Sequence, residues 1–180
     1  MLDILHQEHI NIAKLLDVLR DILAAIRSEK PVRFSLLRDA LSYLEEVADT
    51  YHHPREDLIY DYFSAYRCNE PSVITNELKE QHKEIVSSGE ALREMVAMIL
   101  MDAVIPLDYV AAALEQFIAL QQKHLDYEES TVFPLLRRSL TEDDWRHLEH
   151  NWAHMTVDDP LFGREIAERY QDLATQLLAV

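Results

Sequence analysis

The sequence predicts an all-α protein: an up-down-up-down four-helix bundle over residues 1–138, followed by a helical extension over 139–180 that packs on the bundle or on a dimer partner. Three observations predict it. Glycine occurs twice and proline six times in 180 residues, so turns are scarce and helices long. Leu, Ala, Glu, Gln and Arg are abundant, which favours helix. No segment combines period-two alternation with β-branched enrichment, as a half-buried strand would.

The first helix runs from about Leu2 to Ser28, with Leu5, Ile12, Leu15, Leu16, Leu19, Leu23 and Ile26 as its apolar stripe. Lys30-Pro31 ends it. The second runs from about Ser35 to Tyr66, with Leu37, Leu41, Leu44 and Val47 inward, and Cys68-Asn69-Glu70-Pro71 closes it. Pro54 falls inside this helix. It lacks an N–H and clashes with the carbonyl of Thr50, so the sequence predicts a kink or a restart there. Pro71 and Ser72 open the third helix, which continues to about Met101. The fourth starts near Pro106, with Asp108 as its cap, and reaches about Leu136. Thr141, followed by Asp143 and Asp144, reads as a cap with an acidic first turn for a fifth helix. Asp158-Asp159-Pro160 breaks that helix, and a last one spans Gly163 to about Leu178.

The length suits one domain with a full core. The net charge of -16 argues against a nucleic-acid or anionic-membrane partner. The start, MLDILHQEH, carries Asp3 and Glu8 and reads as no signal peptide. No apolar run reaches membrane-spanning length. Cys68 stands alone, so no intrachain disulfide is expected and a cytoplasmic location follows as the default.

Each of the four long helices carries metal-ligand side chains: His9; His52 with Glu56; His82; and His124 with Glu128. Both pairs have the spacing H-x-x-x-E, which stacks imidazole and carboxylate one turn apart on one face. If neighbouring helices are antiparallel, all six residues fall within roughly one to two turns of the same height, at about 1.5 Å per residue. Their neighbours place them on apolar faces: His9 between Leu5 and Ile12, His82 between Leu78 and Ile85, and Glu128 near Leu125 and Val132. Unpaired carboxylates buried there would cost several kcal/mol each, roughly, and a pair of cations removes that cost. Imidazole with carboxylate suits iron or manganese, zinc can substitute, and the absence of sulfur ligands argues against copper(I).

The order H…H-x-x-x-E…H…H-x-x-x-E, the string His52-His53-Pro54-Arg55-Glu56-Asp57 and the run from Glu128 to Pro134 resemble the hemerythrin-like, HHE cation-binding family over about residues 1–138. The resemblance implies a four-helix bundle with a non-haem di-iron centre bridged by an oxo or hydroxo group. It also implies His9 and His52 on one iron, His82 and His124 on the other, and Glu56 and Glu128 bridging. Oxygen-carrying hemerythrins have a second histidine four residues from the one on helix three. Here Leu78 and Val86 flank His82, and neither can coordinate. Water, or His53 turned inward beside Pro54, would complete that ion.

Three functions fit. The first is a protein that binds or senses O₂, nitric oxide or peroxide. The second is a di-iron enzyme or repair factor, for peroxide breakdown or iron–sulfur centre repair. The third is a structural bundle with a vestigial site. His147, His150 and His154 share a helix face with Trp145 and Trp152, and read as a docking face rather than a second metal site. His6 reads as a residue at the mouth of the bundle, and Tyr127 as a hydrogen-bond partner for a bridging group.

Overall fold

A computed structural model describes residues 1–67, 73–152, 155 and 158–178. The described residues are all helical where regular. The elements are α1 (Leu2–Arg27), α2 (Phe34–Tyr43), a π-helical stretch (Leu44–His52), α3 (His53–Tyr66), α4 (Val73–Leu100) and α5 (Leu107–Tyr127). A second π-helical stretch (Glu128–Val132) leads into α6 (Phe133–Ser139), followed by α7 (Glu142–Trp152), a 3₁₀ turn (Glu168–Tyr170) and α8 (Gln171–Leu177). Helix α1 packs on α5, α5 on α4, and α4 on α2 and α3. No described helix is long and apolar enough to cross a membrane.

Leu15, Leu16 and Leu19 of α1, Leu37 and Leu41 of α2, Leu92 and Val96 of α4, and Leu114 and Phe117 of α5 fill one buried cluster. A second, at the other end of α1, joins Leu2 and Leu5 to Ile59, Phe63, Leu78, Phe133 and Leu136. The histidine- and glutamate-bearing segments lie where the sequence passes from one cluster to the other.

The predicted second helix is one rod in three parts, α2, the π stretch and α3. The cause is Pro54. Its ring would strike the carbonyl of Thr50 in an α-helix. The rod widens before it instead, and the His53 N–H reaches back five residues to the Ala48 carbonyl. Pro134 creates the same problem with the carbonyl of Ser130, and the second π stretch answers it: the Phe133 N–H reaches five residues back to Glu128. The sequence reading singled out Pro54 and passed over Pro134.

Other boundaries differ from expectation. Asp108 does not cap α5; Pro106 occupies that position, with no side-chain cap, and Asp108 lies in the first turn. The last helix does not start at Gly163. Asp159 holds a turn there, accepting the N–H groups of Leu161 and Phe162. A side chain at Gly163 would lie 2.2 Å from the Asp159 carbonyl, so the turn needs glycine. Thr141 and Asp144 do form the reciprocal cap of α7: Asp144 accepts from the Thr141 N–H at 2.8 Å, and Thr141 Oγ1 accepts from the Asp144 N–H at 3.3 Å. The second rod ends at Tyr66, as predicted, with Arg67 as its C-cap; Cys68, Asn69, Glu70, Pro71 and Ser72 lie outside the described residues.

The segment after α6 folds back on the bundle. Asp144 of α7 accepts from Tyr62 and Arg67 of α3 and its flank. These donors, Arg67 first, hold its carboxyl well below the usual carboxylate range. Leu148 and Trp152 are buried against Ile59 and Phe63, and Trp145 is partly buried beside them. Helix α8 packs on α1 and α2.

Candidate metal centre

His9 comes from α1, His52 from the end of the first π stretch, His53 and Glu56 from α3, His82 from α4, His124 from α5, and Glu128 from the start of the second π stretch. All are buried, with Glu56 and Glu128 fully so. Adjacent residues of an α-helix point about 100° apart, which would send one of His52 and His53 away from the core. In the widened turn both are buried, with ring centroids 5.6 Å apart.

Two groups of ligand atoms form. His9, His52 and Glu56 make one, and His53, Glu56, His82 and His124 the other; within each group the atoms lie no more than 4.8 Å apart. Glu56 belongs to both. Its Oε1 is 3.1 Å from Nε2 of His9 and 3.1 Å from Nε2 of His52, and its Oε2 is 3.6 Å from Nε2 of His82. Glu128 spans the groups from the other side, with Oε2 3.3 Å from Nε2 of His9 and 3.2 Å from Nε2 of His124. The structure thus brings the six positions together with His53, the named alternative to water, which stacks on His82 at 4.2 Å.

The outer nitrogens carry the rest of the design. Nδ1 of His9 meets Glu129 at 2.7 Å, Nδ1 of His52 meets Glu8 at 2.7 Å, and Nδ1 of His124 meets Gln81 at 3.0 Å. Nδ1 of His53 lies 3.3 Å from Asp49, and Nδ1 of His82 lies 3.3 Å from Asp57. An acceptor at Nδ1 draws the proton there and leaves the Nε2 lone pair facing inward, the arrangement metal-binding histidines use. Except for Asp49 with His53, each acceptor belongs to a neighbouring helical rod. Their spacing within one helix therefore gave no signal, and the sequence reading missed them.

Tyr60 was another omission. Its hydroxyl donates to Glu128 Oε1 at 2.5 Å, and burial, then the Glu128 charge, push its own pKa well up. Tyr127, expected in that role, is half-buried, and burial and the Glu77 carboxylate push its pKa up. His6 is exposed and shares Glu129 with His9. His147 is exposed and lies beside Tyr62, His150 is exposed, and His154 lies outside the described residues.

Burial would force the carboxylates neutral, but His52, His82 and His9 hold Glu56 well below its usual pKa. Burial and the Glu56 charge push Glu128 up to about 7. Burial, then its histidine neighbours, keeps His53 and His124 neutral. Nε2 of His52, His82 and His124 and Oε2 of Glu56 and Glu128 are buried with no hydrogen-bond partner. Buried lone pairs without donors carry a desolvation penalty. Converging imidazole and carboxylate lone pairs are what a hard or borderline cation accepts, so these residues fit metal ions.

A further side chain secures one flank. Arg55 is buried, donates to both oxygens of Glu8 at 2.6 Å and to the Tyr51 carbonyl at 3.0 Å, and lies 5.0 Å from the Trp152 ring. Burial raises the Glu8 pKa, but His52 and Arg55 more than offset it and leave it lowered. Arg55→Ala is expected to destabilise the protein by about 1–3 kcal/mol in chemical denaturation, because Glu8 and the Trp152 face both lose their partner.

These features define a helical protein with a buried cluster of histidine and glutamate ligand atoms suited to metal cations. The family model described as the hemerythrin HHE cation binding domain matches residues 1–136, and the chain belongs to that family. Comparison with curated proteins found no match.

Proposed function

We propose that this chain is a cytoplasmic non-haem di-iron protein that binds or senses dioxygen or a related small oxidant, nitric oxide or peroxide. Residues 1–138 form an up-down-up-down bundle around the centre, and residues 139–180 are its extension. His9 and His52 would hold one ion, and His82, His124 and His53 the other. Glu56 and Glu128 would supply carboxylate oxygens to both. The observation that carries the reading is the pair of buried ligand groups that share Glu56.

Two ferrous ions side by side, when bound, each supply an electron to a small oxidant. The side chains do the rest. Glu129, Glu8 and Gln81 fix three imidazoles with Nε2 inward. The Tyr60 hydroxyl keeps a proton at Glu128 Oε1 and leaves Oε2 for coordination. Phe133 stacks on His9 at 5.2 Å and shields it from water. This supports small-oxidant binding by limiting hydrolytic loss of the ions.

Anaerobic reconstitution with iron(II) tests the proposal. About two irons per chain are expected, with visible absorption appearing on exposure to air. Uptake of one iron or fewer would end the di-iron reading.

A further inference from the structure

The centre has two flanks, and they differ. On the His9 and His52 side, Phe133 covers His9, and the Arg55 guanidinium stands behind Glu8 and His52. A cation approaching there meets a ring and carboxylates already engaged, Glu8 by Arg55 and His52 and Glu129 by His9 and His6. On the other side, a cleft of about 510 Å³ opens between α4 and the rod that carries His53, with His53 and His82 among its lining residues.

The lining is suited to cations. Asp49, Asp57 and Glu90 contribute carboxylates. Oδ1 of Asp49 and Oδ1 of Asp57 are buried, and each faces only the Nδ1 of its neighbouring histidine, His53 and His82, at 3.3 Å. The two histidines are 4% and 6% exposed, so these are nearly enclosed donors lining an open cleft. The lysines on the rim are neutralised from outside it: Lys79 pairs with Asp61 and Lys83 with Glu80, each at 2.6 Å. Val86 forms part of the wall. Six waters occupy roughly 180 Å³ at about 30 Å³ each, so a hydrated ion fits.

The geometry points to this cleft as the route by which a divalent cation reaches the centre. Glu90 attracts the hydrated ion at the mouth. Asp49 and Asp57 replace its waters, and His53 and His82 receive it. The inference rests on the metal-binding reading above and adds the path, the charge that drives entry, and a wall residue that can block it.

The test is stopped-flow uptake of Co²⁺ by chelator-treated protein, with final metal content measured separately. Glu90 is exposed and outside both ligand groups. Glu90→Lys should slow uptake about tenfold at low ionic strength, with the difference shrinking as salt is added. Val86→Trp should slow it at every salt concentration. Both should reach the wild-type metal content. Glu165→Lys, the same charge change in the tail, should load at close to the wild-type rate. Unchanged rates in both cleft variants would overturn the route. So would equal slowing by Glu165→Lys, or a reduced final content in Glu90→Lys, which would make the cleft part of the binding site. Wild-type stoichiometry judges the two-ion reading separately from these rates.

Discussion

Glu56→Ala is expected to reduce bound metal from two ions per chain to one or none, with affinity for the first ion down at least about a hundredfold. Loss of an outer partner alone typically costs about 10–100-fold, and Glu56 sits inside that ring. It is shared by both ligand groups, and no other described residue is. Its two oxygens approach His9, His52 and His82. Removing it deprives both ions of a negative charge in a buried site, where solvent cannot compensate. Metal analysis and calorimetric titration provide the measurement. Glu129→Ala is the comparison, since Glu129 supports only His9 and the exposed His6. It should weaken binding without reducing the capacity to one ion. A Glu56→Ala protein that still holds two ions would show that the shared-carboxylate assignment is wrong.

Metal binding should release protons and strengthen steeply with pH. Burial alone would lower the His9 pKa, but hydrogen bonds to Glu128 and Glu56 push it up to about 11. Asp57 and Glu56 likewise push His82 up to about 10 against burial, and Glu56 raises His52. In the metal-free protein at neutral pH His9 and His82 carry protons that a metal must displace. Each proton released multiplies the binding constant by about ten per pH unit. Calorimetry in buffers of different ionisation enthalpy counts them.

Stability should depend on pH differently in the two forms. Folded values raised from 6.5 contribute stability that is complete below about pH 6.5. That contribution is lost as pH rises towards 10 and 11. Chelated protein should therefore weaken across this alkaline window. Metal-loaded protein should stay level over the same range, because the tightening of metal binding to the folded state offsets that loss by mass action. Denaturation curves with and without Co²⁺ at several pH values would show the divergence, and parallel curves would refute it.

Helix periodicity and the heights of His9, His52, Glu56, His82, His124 and Glu128 were legible because both follow from positions along one helix. His53 was legible only as an alternative to water, since its direction depends on the π stretch, and that widening answers a clash at Pro54. Pro134 offered the same signal and went unread. Glu8, Gln81, Glu129 and Tyr60 could not be read from spacing, because each acts on a residue of another rod. Asp49, four residues before His53, was the one outer partner a single-helix reading could have found.

The outer acceptors also settle how the rods can move against one another. His9 of α1 is held by Glu129, just after α5. His124 of α5 is held by Gln81 of α4, His82 of α4 faces Asp57 of α3, and His52, at the head of α3, is held by Glu8 of α1. The pairs close a circuit around the barrel. A rod that slips by one residue or turns on its axis therefore loosens two grips at once, one it gives and one it receives. Misaligned assemblies are penalised twice over, and the alignment that survives is the one that gathers the coordinating atoms.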